Sequence, residues 1–102
     1  MQRSLPDTLR WRNAQGMERP WVKSPSYEAA IKVIVEARKE AGLSQRDLAE
    51  RLGKPRSFVS KIENRERRLD VVEFIAVARA LELDSASLVQ RIASALPARL
   101  EI

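Results

Sequence analysis

Arg56, Ser57, Ser60 and Lys61 place two long cations and two small hydroxyls within one short stretch. Their spacing of three and four residues puts them on one face if the stretch is helical. A long cation donates to guanine O6 and N7 or to a phosphate oxygen, and a hydroxyl bonds to either, so such a face suits a DNA major groove. The surrounding segment is basic: Lys54, Arg56, Lys61, Arg65, Arg67 and Arg68 stand against only Glu63 and Glu66. A charge run is equally compatible with a plain solvated face, so the decision rests on what holds these residues. Other chemistry has little to work with. The chain has no cysteine and no histidine, which removes disulfides, thiolate nucleophiles, the commonest general base and the commonest zinc ligand. There is no glycine-rich phosphate loop, and the carboxylates read as helix caps and surface charges. We therefore expect no enzyme, no cofactor and no metal.

The elements that must position this face are helices. The 102 residues suit one domain. A hydrophobic fraction of 44% with only 5% aromatic means that Ala, Leu, Val and Ile build the core. Gln45 to Asn64 reads as two short helices joined by a tight turn. Leu48, Leu52, Val59 and Ile62 face a shared core, Ala49 allows close approach, and Gly53 tolerates the positive φ of the turn. Ser44 caps the first of the pair with Asp47 three residues on, and Leu43 and Leu48 form a hydrophobic staple. Pro55 fits the first turn of the next helix, whose apolar face is Phe58, Val59 and Ile62. Phe58 has two readings, a core residue or a half-exposed ring against a thymine methyl or deoxyribose.

Three further helices frame the pair. One starts at Ser24 or Ser26, with Pro25 suiting the first helical position behind a Ser24 cap, presents Tyr27, Ile31, Ile34, Arg38 and Ala41, and ends at Gly42. A fourth starts at Asp70 with Glu73 three residues on, a Leu69–Phe74 staple, and a buried face of Val71, Phe74, Ile75, Ala78 and Leu81. A fifth follows Asp84 with a Leu83–Leu88 staple, then Ile92 and Ala95, and stops at Pro97. The expected division is a partly ordered leader at 1–25, a helical domain at 26–96 and a tail at 97–102. Trp11 and Trp21 in the leader are expected to pack on the domain or on a second subunit; a basic arm along the minor groove is the alternative. The net charge is +5 and the pI about 10.2, compatible with nucleic acid, an acidic membrane or an acidic partner. No apolar run approaches a membrane span and no hydrophobic signal region opens the chain, so we expect a cytoplasmic protein with no membrane association.

Residues "LSQRDLAERLGKPRSFVSKIENRERRL" resemble the helix-turn-helix of the Cro/C1-type (XRE family) bacterial and phage repressors. The likeness covers roughly Tyr27 to Leu88. It rests on Leu43-Ser44-Gln45, Leu48-Ala49, Leu52-Gly53 and Val59-Ser60-Lys61-Ile62-Glu63-Asn64. It implies an all-α, compact five-helix lambda-repressor-like fold that binds double-stranded DNA, usually as a homodimer on a palindromic operator. It further implies that Gln45 contacts phosphate, that Arg56, Ser57 and Lys61 reach base edges, and that Glu63 is structural; Ser60 joins the DNA-binding residues from its place on the outward face. Asn64 and the residues just after it, Arg65 first, approach phosphate in such repressors, and we count Lys54 with the DNA-binding residues. The family often has glycine where this chain has Arg65. A non-glycine residue there is strained by about 1 kcal/mol if φ stays positive, unless Asn64 takes that conformation instead.

The resulting expectation is a DNA-binding transcriptional regulator, a repressor, with a recognition helix at about 55–63. A second subunit is expected to dock through the last helix, around Leu88, Ile92 and Leu96. The alternative is an antitoxin or protein-interaction module of the same fold, with the leader or the tail gripping a toxin. Coactivators with a similar domain are a further possibility, marked by weak DNA binding or none.

Overall fold

Within residues 24–101, which the computed structural model describes, five helices follow one another. They are α1 (Pro25–Glu40), α2 (Gln45–Leu52), α3 (Arg56–Glu63), α4 (Val71–Ala80) and α5 (Ser85–Ala95). Ser24 caps α1 by accepting the Tyr27 N–H. Ser44 with Asp47, and Asp70 with Glu73, close reciprocal capping boxes on α2 and α4. Asp84 accepts the Ser87 N–H at the start of α5. The start of α3 is different: Pro55 precedes it in an extended conformation, and no side chain caps it.

The helix exits share one geometry. After α1, α2, α3 and α4 comes a residue with positive φ: Gly42 (75°), Gly53 (68°), Arg65 (61°) and Glu82 (59°). In each case two backbone N–H groups reach back to the last turn, as Arg65 does to the Ile62 carbonyl and Glu66 to that of Lys61. The position after α3 thus keeps the left-handed turn with Arg65 in it. Asn64 stays right-handed at φ −85°.

The core is aliphatic, as the composition implies. Ile31, Val33, Ile34 and Ala37 from α1 meet Leu48 and Ala49, Val59 and Ile62, Val77, Ala78 and Leu81, and Leu88 of α5. Helix α2 packs on α3 and α4, α1 on α5 and α3, and α4 on α5. The staple pairs hold, with Leu43, Leu69, Phe74 and Leu83 half-buried beside the core and Leu48 and Leu88 inside it. Four expectations about faces fail. Val71 is 74% exposed in the first turn of α4, while Val77, outside the expected face, is buried. Ala41 and Ala95 sit exposed at helix ends. Leu88, expected at a subunit contact, is 1% exposed within its own protomer's core.

The last residues described return to the start of the domain. The Ser24 hydroxyl donates to the Glu101 carbonyl, and the Glu101 N–H donates to Ser26 Oγ at 3.1 Å. The chain end is thereby fastened to the first turn of α1. The leader, with Trp11 and Trp21, and the arm and packing roles considered for it, lie outside the described residues up to position 23.

Candidate nucleic-acid interface

The pair α2–α3 is held by a polar network running from the core to the surface. Arg38 enters the apolar stripe of α1 and is 7% exposed, so its charge needs a buried partner. Glu63, at the end of α3, supplies it: Nε to Oε2 is 2.7 Å and the second guanidinium nitrogen reaches Oε1 at 3.0 Å. A third nitrogen donates to the Leu43 carbonyl at 2.7 Å, which ties the α1–α2 turn into the same cluster. Gln45, the first residue of α2, donates from Nε2 to Glu63 Oε1 at 2.8 Å. Its Oε1 accepts from the Arg56 guanidinium at 3.2 Å. One chain of hydrogen bonds thus links α1, both ends of α3 and the start of α2.

Beyond that chain lie the other residues proposed from sequence. Arg56, Ser57 and Lys61 are exposed on α3, and Ser60 is half-exposed with its hydroxyl donating to the Ser57 carbonyl at 3.3 Å. Lys54 is exposed in the turn, and Asn64 is exposed at the end of α3. Gln45 is half-buried rather than open, because both ends of its amide are engaged. Arg65 pairs with Glu28 at 3.4 Å, a contact at the domain edge.

Phe58 is half-buried against the core, and its ring is covered by two cations. The Arg67 guanidinium lies 4.6 Å from the ring centroid, and the Lys54 ammonium 5.4 Å. Arg67 also makes a bidentate pair with Glu73, at 2.8 and 2.7 Å. These hydrogen bonds, followed by that from the Asp70 N–H, bring the Glu73 carboxyl down to about 2 from its ordinary 4.5. Arg67 is therefore bound to the scaffold, and Arg68 lies over the Tyr27 ring at 5.1 Å. In its second half the basic run after Asn64 is engaged with side chains of the domain itself.

The Arg38–Glu63 pair and the Arg67 clamp had not been expected from sequence. A signal for the first existed: an arginine at a core position of α1 must find a carboxylate, and Glu63 already stood out as structural. The Arg67 clamp had no such signal, because three arginines in four residues are indistinguishable until the turn after α3 is folded.

The profile of the family described as "Helix-turn-helix" matches residues 34–88, which takes in α2, α3 and α4 with the last turns of α1 and the first of α5. An XRE-family like protein from Pseudomonas syringae pv. tomato str. DC3000 has a solved structure similar to this chain, at 40% identity and a TM-score of 0.65. The match covers 89% of this chain and 98% of that one. The restriction-modification controller protein C.Esp1396I is similar at 25% identity and a TM-score of 0.65, over 71% of this chain and 95% of that chain. The clp gene regulator ClgR from C. glutamicum shares the fold at 20% identity and a TM-score of 0.64, over 72% of this chain and 96% of its own. Among curated proteins none matches. The chain belongs to the XRE family of helix-turn-helix DNA-binding transcriptional regulators.

Proposed function

We propose that this protein is a repressor that binds an operator as a homodimer, with α3 in the major groove. The observation that carries the reading is the Arg56–Gln45 contact at 3.2 Å, which holds an exposed guanidinium at the leading end of α3. Arg56, Ser57 and Lys61 read base edges in this account, with Ser60 beside them. Bidentate donation from Arg56 to guanine is the strongest discriminating contact available to this surface. Lys54, Asn64 and Arg65 flank the reading surface and sit at phosphate, supplying affinity more than choice of sequence. Gln45 serves both ends. Its amide nitrogen carries two hydrogens, so one stays on Glu63 and the other serves phosphate.

A single short helix reads only a few base pairs, so two half-sites about one helical turn apart are expected. Sequence selection from random duplex DNA at two salt concentrations tests the reading. A palindromic consensus whose affinity falls steeply with salt supports it. Absence of enrichment at both salts rejects it.

A further inference from the structure

Lys54 stands in the turn between α2 and α3, two residues before Arg56. Its backbone is held on both sides. Gly53 takes the left-handed conformation ahead of it, and the Lys54 N–H donates to the Ala49 carbonyl at 2.9 Å. Pro55 follows, which restricts the backbone of the residue before it. The side chain has no such constraint of its own, since a lysine carries its charge on a flexible four-carbon stem. Its ammonium nevertheless lies 5.4 Å from the centroid of the Phe58 ring, within range of a cation–π attraction. The ring is itself held, half-buried against the core in the first turn of α3, with the Arg67 guanidinium 4.6 Å from the same centroid.

Glu73 is the competitor for that ammonium. Glu73 and Lys54 line one small cleft with Leu52, Phe58 and Ala76. A free carboxylate there would draw the ammonium into an ion pair and away from DNA. Arg67 occupies both Glu73 oxygens at 2.8 and 2.7 Å, and the Asp70 N–H donates to one of them at 3.1 Å. Among the described residues Lys54 forms no ion pair, and its ammonium rests on the ring instead.

We propose that Phe58 is a positioning residue for phosphate binding, its ring seating the Lys54 ammonium ahead of α3 for a DNA phosphate. The inference rests on the placement of α3 on DNA proposed above. Phe58 acts through Lys54 and needs no contact with DNA of its own. A free lysine loses rotamer freedom when it settles on a phosphate, whereas one already seated on a ring loses less, so it binds more tightly. The ammonium carries three donors, and a ring face engages none of them fully, so they remain available to phosphate oxygens.

The test measures binding of the full chain to a fluorescein-labelled, random-sequence DNA duplex over a series of KCl concentrations. Each phosphate contact contributes about −0.9 to the slope of log K against log[salt]. Lys54→Ala is expected to weaken binding several-fold and to flatten the slope by about one such contact. Phe58→Leu keeps an apolar side chain without the ring, and is expected to weaken binding in the same direction. On the Lys54→Ala background, Phe58→Leu is expected to change affinity by less than about twofold, because the residue it serves is gone. Phe58→Tyr keeps an aromatic face and is expected to hold the ammonium as Phe58 does. Thermal melts confirm that each variant is folded at the assay temperature. One measurement needs no variant: the Lys54 ε-methylene protons of the unaltered protein are expected upfield of their ordinary position, shielded by the ring. Absence of that shift overturns the proposal. So does an equal loss from Phe58→Leu on both backgrounds, which would make Phe58 a packing residue only. An unchanged slope in Lys54→Ala, while the unaltered protein binds, overturns this inference alone. No binding of the duplex by the unaltered protein at low salt overturns the placement of α3 on DNA as well.

Discussion

Arg38 and Glu63, twenty-five residues apart, form a two-point ion pair at 2.7 and 3.0 Å with their side chains 8% and 7% exposed. Buried pairs of this kind add little net stability, because desolvation consumes most of the Coulombic gain. Removing one partner is another matter, since an uncompensated charge remains inside. Glu63→Ala is expected to cost about 3–5 kcal/mol in urea unfolding, and Arg38→Ala a similar amount. The double replacement Arg38→Met with Glu63→Leu is expected to recover most of that loss. It does not recover DNA discrimination, because Gln45 has lost the carboxylate that holds it. Recovery of both together would refute a positioning role for the pair.

Gln45 and Arg56 act as a unit in this account. Arg56→Ala is expected to cost about 1–3 kcal/mol of specific binding and to relax specificity at one base pair. Gln45→Ala removes both a phosphate contact and the orientation of Arg56, so the double variant loses less than the sum of the singles. Titrations of the four proteins on one operator give the coupling. Additivity would separate the two residues.

The left-handed turns after α3 and α4 are occupied by side chains that strain them. Glu82, at φ 59°, makes only a surface contact with Arg51 at 3.7 Å. Glu82→Gly is expected to stabilise the domain by about 0.5–1 kcal/mol, the relief of left-handed strain less the extra chain entropy of glycine. Arg65→Gly gains less, because it also gives up Glu28. Thermal melts rank the two, and a destabilised Glu82→Gly would contradict the assigned backbone.

Glu73 gives the stability an acid limb. Its carboxyl titrates at about 2 in the folded protein and near 4.5 when freed. As pH falls below 4.5 the unfolded chain takes up the proton first, so the stability contributed by Glu73 declines from there and is gone below about 2. Asp47, lowered by the Ser44 backbone and side-chain hydrogen bonds, adds to the same limb. Urea melts at neutral pH and at about pH 3 are expected to differ less for Glu73→Gln than for the unaltered protein.

Most of this architecture was legible because its signals are local. Ser44 with Asp47, Asp70 with Glu73, and the staples fixed where helices begin, and Gly42 and Gly53 fixed where two of them end. Period alone misled at helix ends. Val71, Ala41 and Ala95 keep the right spacing, but stand exposed at helix ends. Distant pairings were hidden for the same reason. The return of Glu101 to Ser24 and Ser26 spans the whole domain, and no spacing along the chain encodes it.

The central claim is that Arg38, Glu63 and Gln45 present Arg56 to a base. Sequence selection carried out in parallel on the unaltered protein, Arg56→Ala and Gln45→Ala tests it most directly. A palindromic consensus is expected for the first, with loss of preference at the same base pair of each half-site in both variants. An unchanged consensus in Arg56→Ala, with affinity lowered equally on all sequences, would move Arg56 to the phosphate backbone and contradict it.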